Sequence, residues 1–148
     1  HLKEYAAHMQ QNYGYGVQAC YRGNRLYDTE ATRLLVKREI DHYKKYRDIL
    51  NADIIHLKRP GGRDWDGILH ADPALQQKGF AMLYNPLDKD LKVKIKLPLY
   101  YTGIKKQAAV SIKGQPAKIY QLDQENKIEV SLTIPAQGNT WLILEQGK

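Results

Sequence analysis

Leu91-Lys92-Val93-Lys94-Ile95-Lys96-Leu97 alternates without a break between apolar and cationic side chains. Successive side chains of an extended chain point to opposite faces, so the four aliphatic residues share one face and the three lysines the other. The pattern predicts a strand that covers a core on one side and meets water on the other. Lysines on the wet face also discourage edge-to-edge association. Further short strand candidates follow in both directions: Ile54-Ile55-His56-Leu57, Ile68-Leu69-His70, Gly79-Phe80-Ala81-Met82-Leu83-Tyr84, Ala109-Val110-Ser111-Ile112, 117–122, 128–134 and 140–144. Pro60-Gly61-Gly62 and Asn85-Pro86 are turn signals between them. Short strands at such spacing indicate a sandwich or barrel, and links too short for a crossover helix require antiparallel pairing.

Upstream of Ile54 the period changes. Apolar residues recur as Leu35/Val36, Ile40, Tyr43, Tyr46 and Ile49/Leu50, the three-and-four spacing of one helix face. Asp28 or Thr29 supplies a cap oxygen for the first turn, and Glu30 suits the positive end of the helix dipole. The helix is expected from about Glu30 to about Leu50, ending at Asn51-Ala52-Asp53. Leu2 to Gln11 has helix-forming composition, broken by Gly14-Tyr15-Gly16, and Val17 to Tyr21 is a short strand candidate. The expected class is α+β: an N-terminal helical segment (1–53), then an antiparallel β-sandwich (54–148).

Composition narrows the function classes. Of the 148 residues, 43% are apolar and 26% charged, the balance of a folded globular chain rather than a disordered one. No apolar run approaches the roughly 20 residues that cross a bilayer, so no membrane partner is expected. The chain opens at His1 without a basic or apolar leader, as expected of a fragment or a processed chain. A single cysteine, Cys20, forms no internal disulfide and reads as a small buried hydrophobe. The net charge of +7 raises nucleic acid as a partner, but the lysines and arginines are dispersed and not interleaved with aromatics. A basic nucleic-acid-binding domain is therefore the third reading, and no nucleic acid is expected.

The order of parts, with the segment Tyr43-Lys44-Lys45-Tyr46-Arg47-Asp48-Ile49-Leu50, then Ile54-Ile55-His56-Leu57 and later Gly79-Phe80-Ala81-Met82-Leu83-Tyr84-Asn85-Pro86-Leu87, resembles the C-terminal end of the α-galactosidase (melibiase) clan. Those glycoside hydrolases join a (β/α)8 barrel to a β-sandwich, and the likeness runs roughly from Val17 to Leu144. Arg59-Pro60-Gly61-Gly62-Arg63-Asp64-Trp65-Asp66-Gly67 departs from the clan's usual sequence. The resemblance implies that 1–53 is a remnant of the last βα unit, with Val17–Tyr21 as barrel strand eight and Glu30–Leu50 as barrel helix eight. It also implies that the clan's catalytic aspartates lie on earlier strands, so this chain alone lacks catalytic carboxylates. An extracytoplasmic location, periplasmic or secreted, is what the resemblance suggests.

Candidate site residues are few. Retaining glycosidases need two carboxyls about 5–5.5 Å apart. Asp64 and Asp66 are alternate residues of an extended, Gly- and Arg-rich segment, which points them apart and favours two ionised, solvated groups. Trp65 either stacks on a sugar ring or anchors an interface. In the barrel reading, Arg22 and Asn24 follow strand eight, at the end where barrel active sites are built; alternatively Arg22 or Arg25 pairs with Asp28 to brace the loop. His8, His42, His56 and His70 lack metal-ligand spacing, so no metal is expected, and no cofactor.

The leading functional expectation is thus a C-terminal accessory region of a glycoside hydrolase that stabilises its catalytic barrel. Its partners would be that barrel and, through it, a carbohydrate substrate. A stand-alone carbohydrate-binding module is the alternative; it would present exposed aromatics, whereas Phe80, Tyr84, Tyr100, Tyr101, Tyr120 and Trp141 mostly sit in apolar runs where burial is expected. The apolar face of the long helix is expected either to dock on the sandwich or to drive self-association.

Overall fold

The computed structural model describes residues 1–18 and 27–148. Two compact units divide the chain, His1–Asn51 and Ala52–Lys148.

The first unit pairs helix α1 (Leu2–Gly14) with helix α2 (Glu30–Leu50). Thr29 caps α2: its backbone is extended and its side chain accepts the amide hydrogen of Thr32 at 3.2 Å, satisfying a donor the helix leaves unpaired. The buried stripe of α2 runs Thr32, Val36, Glu39, Tyr46, Ile49 and Leu50, with Leu35, Ile40 and Tyr43 half-buried. The stripe therefore takes in a carboxylate. Glu39 accepts from Gln10 of α1 at 3.1 Å and pairs with Arg38 at 2.9 Å, which offsets the desolvation of its charge. Tyr13 stacks on Tyr43 with ring centroids 4.7 Å apart, fixing α1 along α2. Of the expected strand Val17–Tyr21, Val17 and Gln18 have no regular structure and the remainder lies outside the described residues.

The second unit is an antiparallel β-sandwich. Its strands are β1 (Asp53–Lys58), β2 (Asp66–Ala71), β3 (Gly79–Asn85), β4 (Leu91–Pro98), β5 (Gln107–Ile112), β6 (Lys118–Gln121), β7 (Lys127–Ile134) and β8 (Gly138–Gln146). A six-stranded sheet in the order β1-β2-β3-β8-β5-β6 faces a two-stranded sheet of β4 and β7. The small sheet explains the alternating heptad. Leu91, Val93, Ile95 and Leu97 stand opposite Ile134, Leu132, Val130 and Ile128 in an unbroken register, so the aliphatic residues of both strands share one face. That face joins Leu69, Ala81, Leu83, Val110, Leu142 and Leu144 of the large sheet in a single core. The three lysines are exposed, and Lys94 meets Glu129 at 2.6 Å.

The large sheet follows a different rule. Ile68, Leu69, His70 and Ala71 of β2 are all buried, as are Phe80 to Leu83 of β3 and Leu142 to Leu144 of β8. These three strands are apolar on both faces, so their sequences run on as apolar blocks instead of alternating. One face carries Leu69, Ala81 and Leu142; the other carries Ile68, Phe80, Met82 and Ile143, with Phe80 stacked on Trp141 at 5.6 Å.

Candidate functional site

The β1–β2 connection carries the most distinctive sequence of the chain. Residues 59–64 are exposed and Trp65 is half-buried against the sandwich core. Lys58 holds this loop together. Its ammonium pairs with Asp64 and lies 5.1 Å from the centre of the Trp65 ring. Asp64 also accepts the Trp65 amide at 2.8 Å. The Lys58 hydrogen bond, then that backbone donor, holds the Asp64 carboxyl below the usual range. A carboxylate kept ionised is a poor general acid, since a glycosidase acid must have its pKa raised. Asp66 begins β2, two residues on, as part of the sheet. Asp64 is therefore built as a loop brace. Trp65 packs on the core from one side while Lys58 lies over its ring. Arg22, Asn24 and Cys20 lie outside the described residues.

Among the described residues no group of three metal-ligating side chains occurs. His56 and His70 lie on neighbouring strands, but His56 is exposed and His70 fully buried. No described helix is long and apolar enough to cross a membrane.

A cleft of about 360 Å³ opens on the sandwich, lined by Asp90, Lys113, Gln115, Ser131, Thr133 and Thr140 among others. Asp90 is its sole carboxylate, and one of its oxygens accepts the Ala136 amide at 2.8 Å. This cleft cannot supply the two carboxyls of glycoside hydrolysis.

The aromatic residues correct the sequence reading. Of the seven in the sandwich, Phe80 alone is fully buried; Trp65, Tyr84, Tyr120 and Trp141 are half-buried. Tyr100 and Tyr101 stand out at 70% and 63% exposure. They occupy a 3-10 turn, Tyr100–Thr102, at the end of β4. The signal was present in Pro98-Leu99-Tyr100-Tyr101-Thr102-Gly103: the alternation fails after Pro98 and a glycine closes the run, which marks a turn and not a strand.

No protein-family model matches the chain, and no curated protein matches it. Solved structures do share its fold. An α-galactosidase I from Mortierella vinacea superposes with a TM-score of 0.66 at 12% identity, over 99% of this chain and 36% of that one. A β-L-arabinopyranosidase from Geobacillus stearothermophilus gives 0.63 at 10% identity, over 99% and 31%. An α-amylase from Geobacillus thermoleovorans gives 0.62 at 12% identity, over 99% and 34%. The chain thus spans about a third of the structures it resembles, and both of its units take part in the match.

Proposed function

We propose that the chain is the C-terminal accessory region of a glycoside hydrolase, with the sandwich stabilising a catalytic barrel that lies upstream. The observation that supports it most directly is the match of nearly the whole chain to part of each of several sugar-cleaving enzymes. In this reading 1–53 is the last βα unit of the barrel, and Arg22 and Asn24 follow its final strand at the rim of the parent's substrate site. The catalytic carboxylates belong to earlier strands. The sheet gives the reading a physical basis: β2, β3 and β8 are apolar on both faces, and the β4–β7 pair covers only one of them. Apolar area removed from water is worth about 25 cal/mol per Å², so a sandwich of this kind stabilises whatever layer closes its second face.

The test uses the gene that encodes the chain. Sequence upstream of His1 should encode seven further βα repeats with carboxylates at their strand ends. The full protein should hydrolyse a p-nitrophenyl glycoside. Deletion of 52–148 should lower its melting temperature and yield more than its KM. An upstream region without barrel repeats, or a full protein inert on a panel of α- and β-glycosides, refutes the reading. Arg22→Ala in the active full protein should raise KM for the glycoside; an unchanged KM removes that residue from the substrate rim.

A further inference from the structure

Exposed apolar side chains scattered singly need no explanation, and Ile54 on β1 and Ile119 on β6 are of that kind. Tyr100 and Tyr101 are not. They are adjacent, both mostly exposed, and perpendicular at 89° with ring centroids 5.2 Å apart. The turn that carries them is pinned on every side. Leu99 and Thr102 are fully buried and Ile104 nearly so. The Leu99 amide donates to the Asn126 carbonyl at 2.8 Å. The Thr102 hydroxyl donates to the Leu99 carbonyl at 2.6 Å and accepts from the Ile104 amide at 3.2 Å. Gly103 closes the turn with φ +70°, and any side chain there would meet Pro73, 2.8 Å from the position of its first carbon. The backbone beneath both phenols is therefore ordered before anything binds, which removes much of the entropic cost of using them.

The geometry points to Tyr100 and Tyr101 as a binding platform for a neutral polysaccharide. A pyranose ring has an apolar C–H face that suits a phenol face. Two rings at right angles offer one face and one edge, with two hydroxyls to exchange hydrogen bonds with sugar hydroxyls. The lysines that follow in sequence, Lys105 and Lys106, are exposed. Size argues against a protein partner. Two phenols at this exposure offer on the order of 200–300 Å², whereas a stable protein interface buries about 800 Å² per partner. A platform of this size binds one sugar unit weakly and gains strength on a polymer by rebinding along the chain. The platform lies wholly within 52–148.

Native affinity electrophoresis of the 148-residue chain tests it, in gels containing galactomannan, soluble amylose or no polysaccharide. The expected result is retardation in at least one polysaccharide gel, reduced at least fivefold in retardation coefficient by Tyr100→Ala/Tyr101→Ala. Tyr100→Phe/Tyr101→Phe should keep most of the retardation, because the ring faces remain. Tryptophan fluorescence of each variant verifies the fold through Trp65 and Trp141, and Tyr101→Ala alone serves if the double variant fails to fold. Unretarded wild-type chain in both gels overturns the proposal, as does a folded double variant retarded equally. Sedimentation showing that the wild type self-associates and the double variant does not, with no retardation, would assign the pair to a protein contact instead.

Discussion

Asn85 is a buried polar residue that links the sandwich's two sheets. It closes β3 at 2% exposure, and its amide nitrogen faces three carbonyl oxygens: Lys89 at 2.8 Å, Ile134 at 3.1 Å and Pro135 at 3.0 Å. Its own carbonyl accepts the Leu87 amide at 3.0 Å. One side chain thus ties the β3–β4 turn to the β7–β8 turn, the large sheet to the small one. Two amide hydrogens serve three acceptors, so about three bonds are at stake. Each is worth about 0.5–1.5 kcal/mol net, and carbonyls left buried add to the loss. Asn85→Ala should cost about 2–4 kcal/mol, lowering the urea midpoint by about 1–2 M. Both tryptophans of the chain, Trp65 and Trp141, lie in the sandwich, so fluorescence during urea unfolding reads that unit alone. Asn85→Asp is the sharper variant. At pH 7 it sets a carboxylate against three carbonyls, and it donates a hydrogen bond only when protonated. Its folded pKa would lie above the unfolded value of about 3.9. Its deficit relative to the native chain should then be largest above that folded pKa and shrink as pH falls toward 4. A loss below 0.5 kcal/mol for Asn85→Ala, or an Asp variant whose deficit grows on acidification, would refute this account.

Leu97→Ala should destabilise the sandwich by about 2–5 kcal/mol, because Leu97 is fully buried at the register position of Ile128. Lys94→Ala, three residues away on the wet face, should change stability by less than about 0.5 kcal/mol despite its contact with Glu129; tryptophan fluorescence in urea compares the two. Thr29→Ala removes the cap of α2 and should cost about 1 kcal/mol, read as a loss of helical circular dichroism at lower temperature. Burial lowers the His42 pKa, Lys45 lowers it further and Glu39 opposes them. The folded state therefore favours the neutral imidazole. Its contribution should be complete above the unfolded value of about 6.5 and fade as pH falls below it; melting followed at 222 nm from pH 7.5 to 5 should show a decline that His42→Gln reduces.

Much of this molecule is set by local chemistry, and that part was legible. The strict alternation of Leu91 to Leu97 requires a strand with one wet face whatever it packs on, and Thr29 with the repeat of Val36, Tyr43 and Leu50 requires a capped helix. The turn at Asn85-Pro86 was legible too, because proline fixes its own torsion and restricts the residue before it. Other features rest on contacts between residues far apart in sequence. That Asn85 is a buried tie between sheets depends on Ile134 and Pro135, 49 and 50 positions away. That Glu39 belongs to the buried stripe of α2 depends on Gln10, 29 positions back. The grouping of eight strands into six and two is equally non-local, since β8 inserts between β3 and β5. Exposure of Tyr100 and Tyr101 was decided the same way: two tyrosines after an apolar run look buried by composition, but burial of Leu99, Thr102 and Ile104 turns their backbone outward. Periodicity fixes which face a residue takes on its own element. What lies opposite that face is settled only when the chain returns to it.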